Sequence, residues 1–198
     1  MTKSGLYKFL KPILTILVKI IFRPKVVNAD KITKSGRMVI AGNHTSIVDP
    51  VLLLSLTKRT IHFLAKIELI SGPFGFCFKH LGIIPVDRST KDKNVLPSSE
   101  KCLNNGEIVG VFPEGTTEKG RGLLPFKIGA IRMASDTDSY ILPFAITGKY
   151  RLFNNKLAIV FGEPYKINDK ENLDKENEIL RTKVENLIKE GERYGQDK

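Results

Sequence analysis

A histidine and an aspartate lie five positions apart in the run GNHTSIVDP, at His44 and Asp49. The apolar residues 38–41 predict a buried strand before them, and Pro50 with the four aliphatic residues after it predicts the start of a helix. Such a loop lets the carboxylate fold back onto one imidazole nitrogen, which leaves the other nitrogen as a general base. The same pair also fits a helix cap or a solvated polar pair, because Asp before Pro commonly begins a helix.

Two further strand ends carry residues that suit a ligand with a phosphate group. The apolar run 82–86 ends before Arg88, and an arginine there suits bidentate hydrogen bonds to a phosphate, although a surface ion pair fits as well. The run 108–112 leads into a Pro-Glu-Gly-Thr turn, where Gly115 allows the backbone to approach a ligand closely. Glu114 of this turn lies where α/β folds commonly place their sites, although a solvated glutamate in an ordinary turn is equally compatible.

A basic segment with several glycines follows this turn. Glycines before a helix can hold a phosphate through backbone N–H groups, although the spacing is not that of a Walker loop. Side chains of the turn and of this segment are therefore added to the expected phosphate contacts: Thr116, Lys119, Arg121 and Lys127.

Strand-like and helix-like runs alternate through the rest of the chain. The predicted strands are 37–41, 60–65, 82–86, 108–112, 141–147 and 157–161. The predicted helices are 50–57, 67–80, 95–105, 126–135 and 171–191. This alternation predicts a single α/β domain with a central, mostly parallel or mixed sheet flanked by helices. Pro143, within an apolar strand, indicates an edge strand or a bulge.

Composition limits the class of protein. The chain has 198 residues, of which 41% are hydrophobic, so it is long enough to bury a sizeable core and is not typical of disordered proteins. Cys77 and Cys102 form no CxxC motif, and we expect both to be reduced thiols in a cytoplasmic protein. His44, His62 and His80 lie far apart in sequence and lack cysteine neighbours, so the spacing predicts no zinc site.

The amino-terminal residues combine positive charge with a long apolar segment. Residues 1–37 carry nine Lys and Arg against a single Asp, so they hold +8 of the chain's net charge of +11. Such a basic end predicts contact with a polyanion, either nucleic acid or an anionic membrane. Large aliphatic and aromatic residues dominate 6–22, which favours the membrane and argues against nucleic acid.

The polar residues of this segment recur at helical spacing and form one stripe, Ser4, Lys8, Lys11, Thr15 and Lys19. The apolar run is shorter than the ~20 residues of a spanning helix, and no small-residue cleavage site follows it. We predict that residues 1–25 form an amphipathic helix in the membrane interface, ahead of the α/β domain at 26–198. The expected lipid contacts are Lys8, Lys11, Lys19 and Arg23. The alternative is a helix packed on the protein's own core.

Taken together, four blocks of the sequence resemble the glycerolipid acyltransferases. These blocks are Asn43-His44 with Asp49, Gly82 to Arg88, Phe112 to Thr116, and Leu142-Pro143. Their order and approximate spacing are similar to those of the family, and the bacterial 1-acylglycerol-3-phosphate (lysophosphatidic acid) acyltransferases are the most similar in style. The resemblance covers roughly residues 37–147, and the basic amino-terminal segment also suits it.

The resemblance implies acyl transfer from an acyl-carrier protein or acyl-CoA thioester to the free hydroxyl of 1-acylglycerol-3-phosphate, giving phosphatidic acid in phospholipid biosynthesis. It implies that His44 is the base and that Asp49 orients it. Arg88, Glu114 and Gly115 are implied to bind the glycerol phosphate of the acceptor. A thioester already carries a good leaving group, so we expect neither a metal nor another cofactor beyond the acyl-donor co-substrate. The expected location is peripheral or monotopic, on the cytoplasmic face of the cell membrane.

The sequence departs from the family after its third block. The family commonly has an arginine where this chain has Thr117, so Lys119 or Arg121 would have to supply the charge, or the acceptor headgroup differs. Pro143 is implied to lie on the acyl-donor side. Two alternatives remain open, the same chemistry on glycerol-3-phosphate or another lysolipid, and a non-catalytic membrane-bound adaptor.

Overall fold

The computed structural model describes residues 5–68, 82–87, 94–117, 122–153 and 156–196. The helices within these ranges are α1 (Gly5–Phe22), α2 (Asp49–Ser55), α3 (Val95–Asn104), α4 (Gly129–Asp136) and α5 (Leu173–Gln196). The strands are β1 (Lys25–Val27), β2 (Met38–Gly42), β3 (Ile61–Lys66), β4 (Ile84–Val86), β5 (Ile108–Val111), β6 (Tyr140–Thr147) and β7 (Ala158–Phe161).

These strands form one mixed sheet in the order β1-β7-β6-β2-β5-β3-β4. Neighbours pair in parallel except β6 and β7, which are antiparallel. The five strands from β6 to β4 therefore end at the same edge of the sheet. Loops at such carboxyl ends are where α/β folds place their ligands, and the loop after β2 carries His44.

Helices cover both faces of the sheet. Alternate residues of β2 divide between the two cores, with Met38 and Ile40 on one face and Val39 and Ala41 on the other. The first core is completed by α1 and α2, and the second by α3, α4 and α5. Strands covered on both faces are continuously apolar, as all five buried residues of β2 are. The prediction of a single α/β domain with a flanked central sheet is confirmed.

The element bounds agree with the sequence patterns except at a few places. The predicted helix 67–80 falls mostly on residues outside the described ranges. The three-residue strand β1 was not predicted, and the expected domain boundary after residue 25 falls inside it.

Pro143 does not lie on an edge strand, because β6 lies between β2 and β7. The ladder of β6 with β7 covers Phe144 to Thr147, and pairing resumes at Ile141 with Tyr165. Between these pairs, two residues of β6 face three residues of the partner chain, so Pro143 lies at a bulge, the second of the two predicted alternatives. The Pro143 carbonyl accepts the N–H of Gly162 at 2.9 Å. A proline is tolerated at such a bulge because the hydrogen-bond ladder is interrupted there.

Helix α1 contains Pro12 without ending there, and it packs against α2. Val18 is its fully inward residue, with 4% of its surface exposed. Arg23 follows the helix in a left-handed conformation with φ 43°, a common way for a helix to end, and Pro24 comes next. Among the described residues, none of the helices combines the length and the hydropathy that crossing a bilayer requires.

Candidate active site

The loop after β2 is anchored before it reaches His44. The buried side chain of Asn43 makes two hydrogen bonds to the backbone of Ile146, donating from Nδ2 to its carbonyl at 2.8 Å and accepting its N–H at Oδ1 at 2.7 Å. Gly42 precedes it, and a Cβ there would lie 2.2 Å from the carbonyl oxygen of Phe144. Glycine thus lets β2 approach β6 closely, and the asparagine fixes where the loop departs.

His44 and Asp49 form a dyad in this loop. Nδ1 of His44 lies 2.8 Å from Oδ2 of Asp49, whose side chain is fully buried. With its proton on Nδ1, the ring keeps a lone pair on Nε2, the nitrogen that a general base needs. The histidine side chain is 18% exposed, so the dyad is shielded but open to a substrate.

Asp49 is held by more than the histidine. Oδ2 also accepts the backbone N–H groups of Thr45 at 2.5 Å and Ser46 at 2.9 Å. Oδ1 accepts the hydroxyl of Thr45 at 3.1 Å and that of Tyr150 at 2.6 Å. Asp49 is the first residue of α2, but the backbone N–H groups that its carboxylate accepts belong to Thr45 and Ser46 in the preceding loop.

Tyr150 comes from the loop between β6 and β7, far from the dyad in sequence. Burial, followed by the negative charge of Asp49, raises the pKa of its phenol well above the ordinary range, so the hydroxyl remains a donor. Its ring meets that of Phe22 edge-on, with centroids 5.2 Å apart. Sequence reasoning missed this residue, since a lone tyrosine in a loop gives no local signal of its partner.

The imidazole ring of His44 rests on an aromatic platform. Its ring stacks on that of Phe112 at a centroid distance of 4.0 Å and an angle of 16°. Phe112 is held in turn by Phe63, stacked at 5.8 Å, and by Phe144, edge-on at 5.9 Å. The platform and the carboxylate together restrict the ring to one orientation.

Glu114 lies beside the dyad and binds the backbone. Oε1 accepts the N–H of His44 at 2.8 Å, and Oε2 accepts the N–H of Leu124 at 3.1 Å. Both oxygens of this carboxylate therefore tie the β5 end to the His44 loop and to the segment before α4. The acceptor-binding role expected for Glu114 stays a prediction, and the geometry gives it a positioning role.

Gly115 adopts φ +74° in a turn closed by its N–H and the carbonyl of Phe112 at 3.0 Å. A Cβ at Gly115 would lie 2.9 Å from Nζ of Lys127, so the lysine side chain passes over this glycine. Lys127 is exposed and Thr116 half-buried. Of the predicted phosphate contacts, Lys127 and Thr116 are thus brought to the turn that carries Glu114.

The remaining predicted site residues fall into three groups. Arg88, Lys119 and Arg121 lie outside the described residues. Pro143 is buried in β6, paired with Ala41 just before the loop that holds His44, and its donor-side role stays a prediction.

The predicted membrane contacts form the third group. Lys8 lies in α1, at a position where side chains are not described. Lys19 and Arg23 are exposed. Lys11 turns to the protein and donates from Nζ to the carbonyl of Arg59 at 2.7 Å. Their contact with lipid stays a prediction.

One cluster of ligand-type side chains lies apart from the dyad. His62, Cys102 and Glu107 bring one ligand atom each within 4.8 Å of one another, which the sequence spacing did not reveal. Nε2 of His62 is 3.0 Å from a Glu107 oxygen, and Nδ1 is 2.8 Å from the carbonyl of Gly82. Three groups are one fewer than a closed tetrahedral zinc site needs. Glu107 precedes β5 and Glu114 follows it, so the cluster lies at the other end of this strand.

A family model described as "Acyltransferase" matches residues 23–147, the region that holds all four sequence blocks. The chain belongs to the acyltransferase family. The resemblance inferred from the four blocks is thereby confirmed, as is the prediction of an enzyme, and the non-catalytic adaptor loses its support.

Relatives with assigned names extend the likeness. The 1-acyl-sn-glycerol-3-phosphate acyltransferase of Bacillus subtilis is 29% identical over 194 residues, covering 92% of this chain and 96% of the relative. The enzyme of the same name from Borreliella burgdorferi is 30% identical over 143 residues, covering 68% and 57%. The crystal structure of the 1-acyl-sn-glycerophosphate (LPA) acyltransferase PlsC from Thermotoga maritima shares the fold, with a TM-score of 0.69 and 23% identity over 94% of this acyltransferase and 84% of that chain.

Proposed function

We propose that this acyltransferase moves a fatty acyl group from a thioester to the free hydroxyl of 1-acylglycerol-3-phosphate, giving phosphatidic acid. The observation that carries the proposal is the dyad, in which Nδ1 of His44 lies 2.8 Å from Oδ2 of the buried Asp49, a contact that leaves Nε2 for the acceptor hydroxyl. The names of the relatives from Bacillus subtilis and Borreliella burgdorferi support this acceptor. Acyl-carrier protein or acyl-CoA would deliver the acyl group.

In the proposed reaction, Nε2 of His44 takes the proton of the acceptor hydroxyl as its oxygen attacks the thioester carbonyl. The resulting oxyanion collapses, the carbon–sulfur bond breaks, and the imidazolium returns the proton to the departing thiolate. Asp49 stabilises the transient imidazolium through Nδ1 and does not itself accept the proton. General-base assistance of this kind is typically worth ~10²–10⁴-fold in rate.

The acceptor would bind near the turn after β5. Lys127 passes over Gly115 and can offer a charge to a phosphate. Glu114, in the same turn, accepts the N–H of His44 and so connects the turn to the loop of the dyad. We propose that Lys127 and the cations predicted from the sequence, Arg88 among them, hold the glycerol phosphate while Glu114 fixes the catalytic loop.

The acceptor is a membrane lipid, so the enzyme must meet a bilayer surface. We propose peripheral or monotopic attachment through α1 on the cytoplasmic face. Supporting this, α1 leaves Ile16 and Ile20 more than half exposed, whereas Val18 faces the core. An amphipathic helix with apolar residues turned outward gains stability in the interface.

The test is an assay of labelled acyl transfer with a panel of donors and acceptors. The panel joins acyl-CoA or acyl-carrier protein with 1-acylglycerol-3-phosphate, glycerol-3-phosphate and a lysolipid without a free phosphate monoester. We expect turnover with 1-acylglycerol-3-phosphate, and its loss by at least ~10²-fold in His44→Ala. His62→Ala is the matched control, because His62 lies outside the dyad.

Near wild-type turnover in His44→Ala would contradict the mechanism, because it would show that His44 is not the base. Transfer to glycerol-3-phosphate alone, or to the lysolipid alone, would keep the chemistry and reassign the acceptor. Arg88→Ala should raise KM for the phosphate acceptor more than KM for an acceptor without the phosphate monoester. An equal rise for both would show that Arg88 does not bind the phosphate.

A further inference from the structure

The loop between β6 and β7 carries two large apolar side chains into solvent. Leu152 is 69% exposed and Phe153 is 65% exposed. Phe153 also has φ +54°, a left-handed conformation that a bulky residue rarely adopts. The two side chains gain nothing from the core, and the conformation costs free energy, which points to a role outside the folded chain.

This loop tip lies against the end of α1. The N–H of Phe153 donates to the carbonyl of Ile21 at 2.6 Å. Three residues earlier, the ring of Tyr150 meets that of Phe22, the last residue of α1. The tip, defined as Leu152 and Phe153, is therefore fixed beside the helix by a backbone bond and a ring contact.

The outer face of α1 continues the apolar surface. Four large apolar residues of α1 recur at the spacing of one helix face, and each is 42–56% exposed: Ile13, Ile16, Leu17 and Ile20. Inward-turned residues lie on the other side, with Val18 in the core and Lys11 bonded to Arg59. Since α2 covers only the inward side, the outer face and the tip together form an exposed patch of the kind that marks an interaction site.

The catalytic loop adds one more apolar side chain. Ile47 is 70% exposed and lies between His44 and Asp49 in the loop. Helix α2, which begins directly after this loop, packs on α1. The segment that holds the dyad thus also presents an apolar side chain to solvent, directly before the helix that packs on α1.

Exposed basic residues flank this patch, and they decide which partner fits it. Lys19 and Arg23 lie at the end of α1, and Lys149 and Arg151 lie beside the tip. Apolar side chains flanked by cations match a bilayer with anionic headgroups, where the cations meet phosphates and the apolar groups enter the acyl layer. A soluble protein partner would not require basic residues beside the apolar residues both at the end of α1 and at the tip.

We propose that Leu152 and Phe153 insert into an anionic bilayer as a second contact beside α1, with Ile47 at the same surface. The inference rests on the proposed function in one respect, since it assigns the acyltransferase to a lipid surface. Two separate contacts fix the tilt of a protein on a membrane, which one helix alone does not. This tilt would turn the exposed part of His44 toward the lipid.

The test measures binding to vesicles, separately from catalysis. The double variant Leu152→Ser/Phe153→Asn removes both apolar groups, and asparagine tolerates the left-handed conformation of position 153. Sedimentation with phosphatidylglycerol–phosphatidylcholine vesicles should show a fall of about tenfold or more in the partition coefficient. Thermal unfolding and circular dichroism should match the wild type, since neither side chain packs in the core.

A matched control distinguishes the loss of the tip's apolar side chains from a general increase in the polarity of the surface. Tyr140→Ser/Ile179→Ser changes two exposed apolar residues elsewhere, because Tyr140 begins β6 at its opposite end and Ile179 lies on α5. This control should bind vesicles as the wild type does. An equal loss in the control, or unchanged binding of the tip variant, would overturn the proposal, as would a wild-type chain that ignores anionic vesicles.

A second assay keeps this inference distinct from the proposed function. With substrates dispersed in detergent micelles, the tip variant should retain wild-type kcat, because neither residue belongs to the dyad. If the wild type binds vesicles through the tip but transfers no acyl group, only the proposed reaction fails. If transfer occurs and the tip variant partitions normally, only the second membrane contact fails.

Discussion

The hydroxyl of Tyr150 donates a hydrogen bond of 2.6 Å to Oδ1 of Asp49, the oxygen that does not face His44. The two residues are 101 positions apart, and the bond links the β6–β7 loop to the loop that holds His44. The ring of Tyr150 also contacts Phe22 at the end of α1. One side chain thus connects the end of α1 to the carboxylate of the dyad.

We expect Tyr150→Phe to lower kcat about tenfold while KM for donor and acceptor changes by less than about twofold, in line with the loss of a hydrogen bond to a charged group. Without the phenol, Oδ1 keeps only the Thr45 hydroxyl at 3.1 Å, so the carboxylate can rotate away from Nδ1 of His44. Steady-state kinetics on both substrates is the measurement.

Tyr165→Phe is the matched control for this prediction. Within the described part of the chain, the shielded hydroxyl of Tyr165 has no hydrogen-bond partner, so its removal should leave kcat unchanged. A Tyr150→Phe enzyme with wild-type kcat, or one that differs only in stability, would show that the phenol does not position Asp49.

The local parts of the site could be read from the sequence. The pattern of a buried strand, a short loop and an Asp-Pro helix start predicts that Asp49 folds back onto His44. In the structure, Oδ2 of Asp49 lies 2.8 Å from Nδ1 of His44. The alternation of apolar strands with amphipathic helices likewise gave the α/β class. Both follow from contacts between near neighbours in sequence, where spacing fixes geometry.

Long-range contacts carried no such signal. Tyr150 reaches Asp49 because β6 lies next to β2 in the sheet. Local sequence patterns do not determine the order of the strands. His62 and Cys102 meet for a similar reason, across β3 and α3. Glu114 was expected to bind the acceptor, and its two bonds to backbone N–H groups became visible only when the loops were assembled.

Glu114→Gln should reduce both stability and activity. One oxygen of the amide can still accept an N–H, but its NH₂ group would face the other backbone donor, either His44 or Leu124. Losing one charged acceptor costs roughly 1.5–3 kcal/mol. We expect a fall of that size in the free energy of unfolding measured with urea. We also expect kcat to fall, because the loop that holds His44 would be displaced.

Glu163→Gln is the control for this change, because Glu163 is exposed and forms a surface pair with Lys31. A surface pair contributes little, about 0–1 kcal/mol. If Glu114→Gln raised only KM for the acceptor and left stability intact, Glu114 would bind substrate and would not position the loop.

Gly42→Ala should destabilise the fold strongly. A Cβ at this position would lie 2.2 Å from the Phe144 carbonyl and 2.7 Å from its ring, so β2 and β6 would have to separate. Overpacking of this kind typically costs about 1–3 kcal/mol, and backbone atoms yield less than side chains. Urea unfolding measures the loss.

Gly129→Ala provides the comparison, because a Cβ there meets nothing within 4 Å at the start of α4. Alanine favours a helix over glycine, so stability should hold or rise slightly. An unchanged midpoint in Gly42→Ala would mean that the close approach of the two strands is not required.

Lys11 makes the stability of the fold depend on pH. Burial lowers the pKa of its ammonium from 10.5 to about 8, because the interior disfavours the charged form. The unfolded chain therefore binds this proton more tightly than the folded chain. The contribution of Lys11 to the free energy of unfolding consequently rises as pH increases from about 8 toward 10.5.

Lys11→Met removes this effect and should be more stable than the wild type near pH 7. The difference between the two should shrink as pH rises through 8 toward 10.5, where the wild-type lysine loses its proton in both states. Urea unfolding of both proteins at several pH values measures the difference. Lys19→Met, at an exposed position of the same helix, is the matched variant, and a similar pH-dependent gain there would show that burial of Lys11 is not the cause.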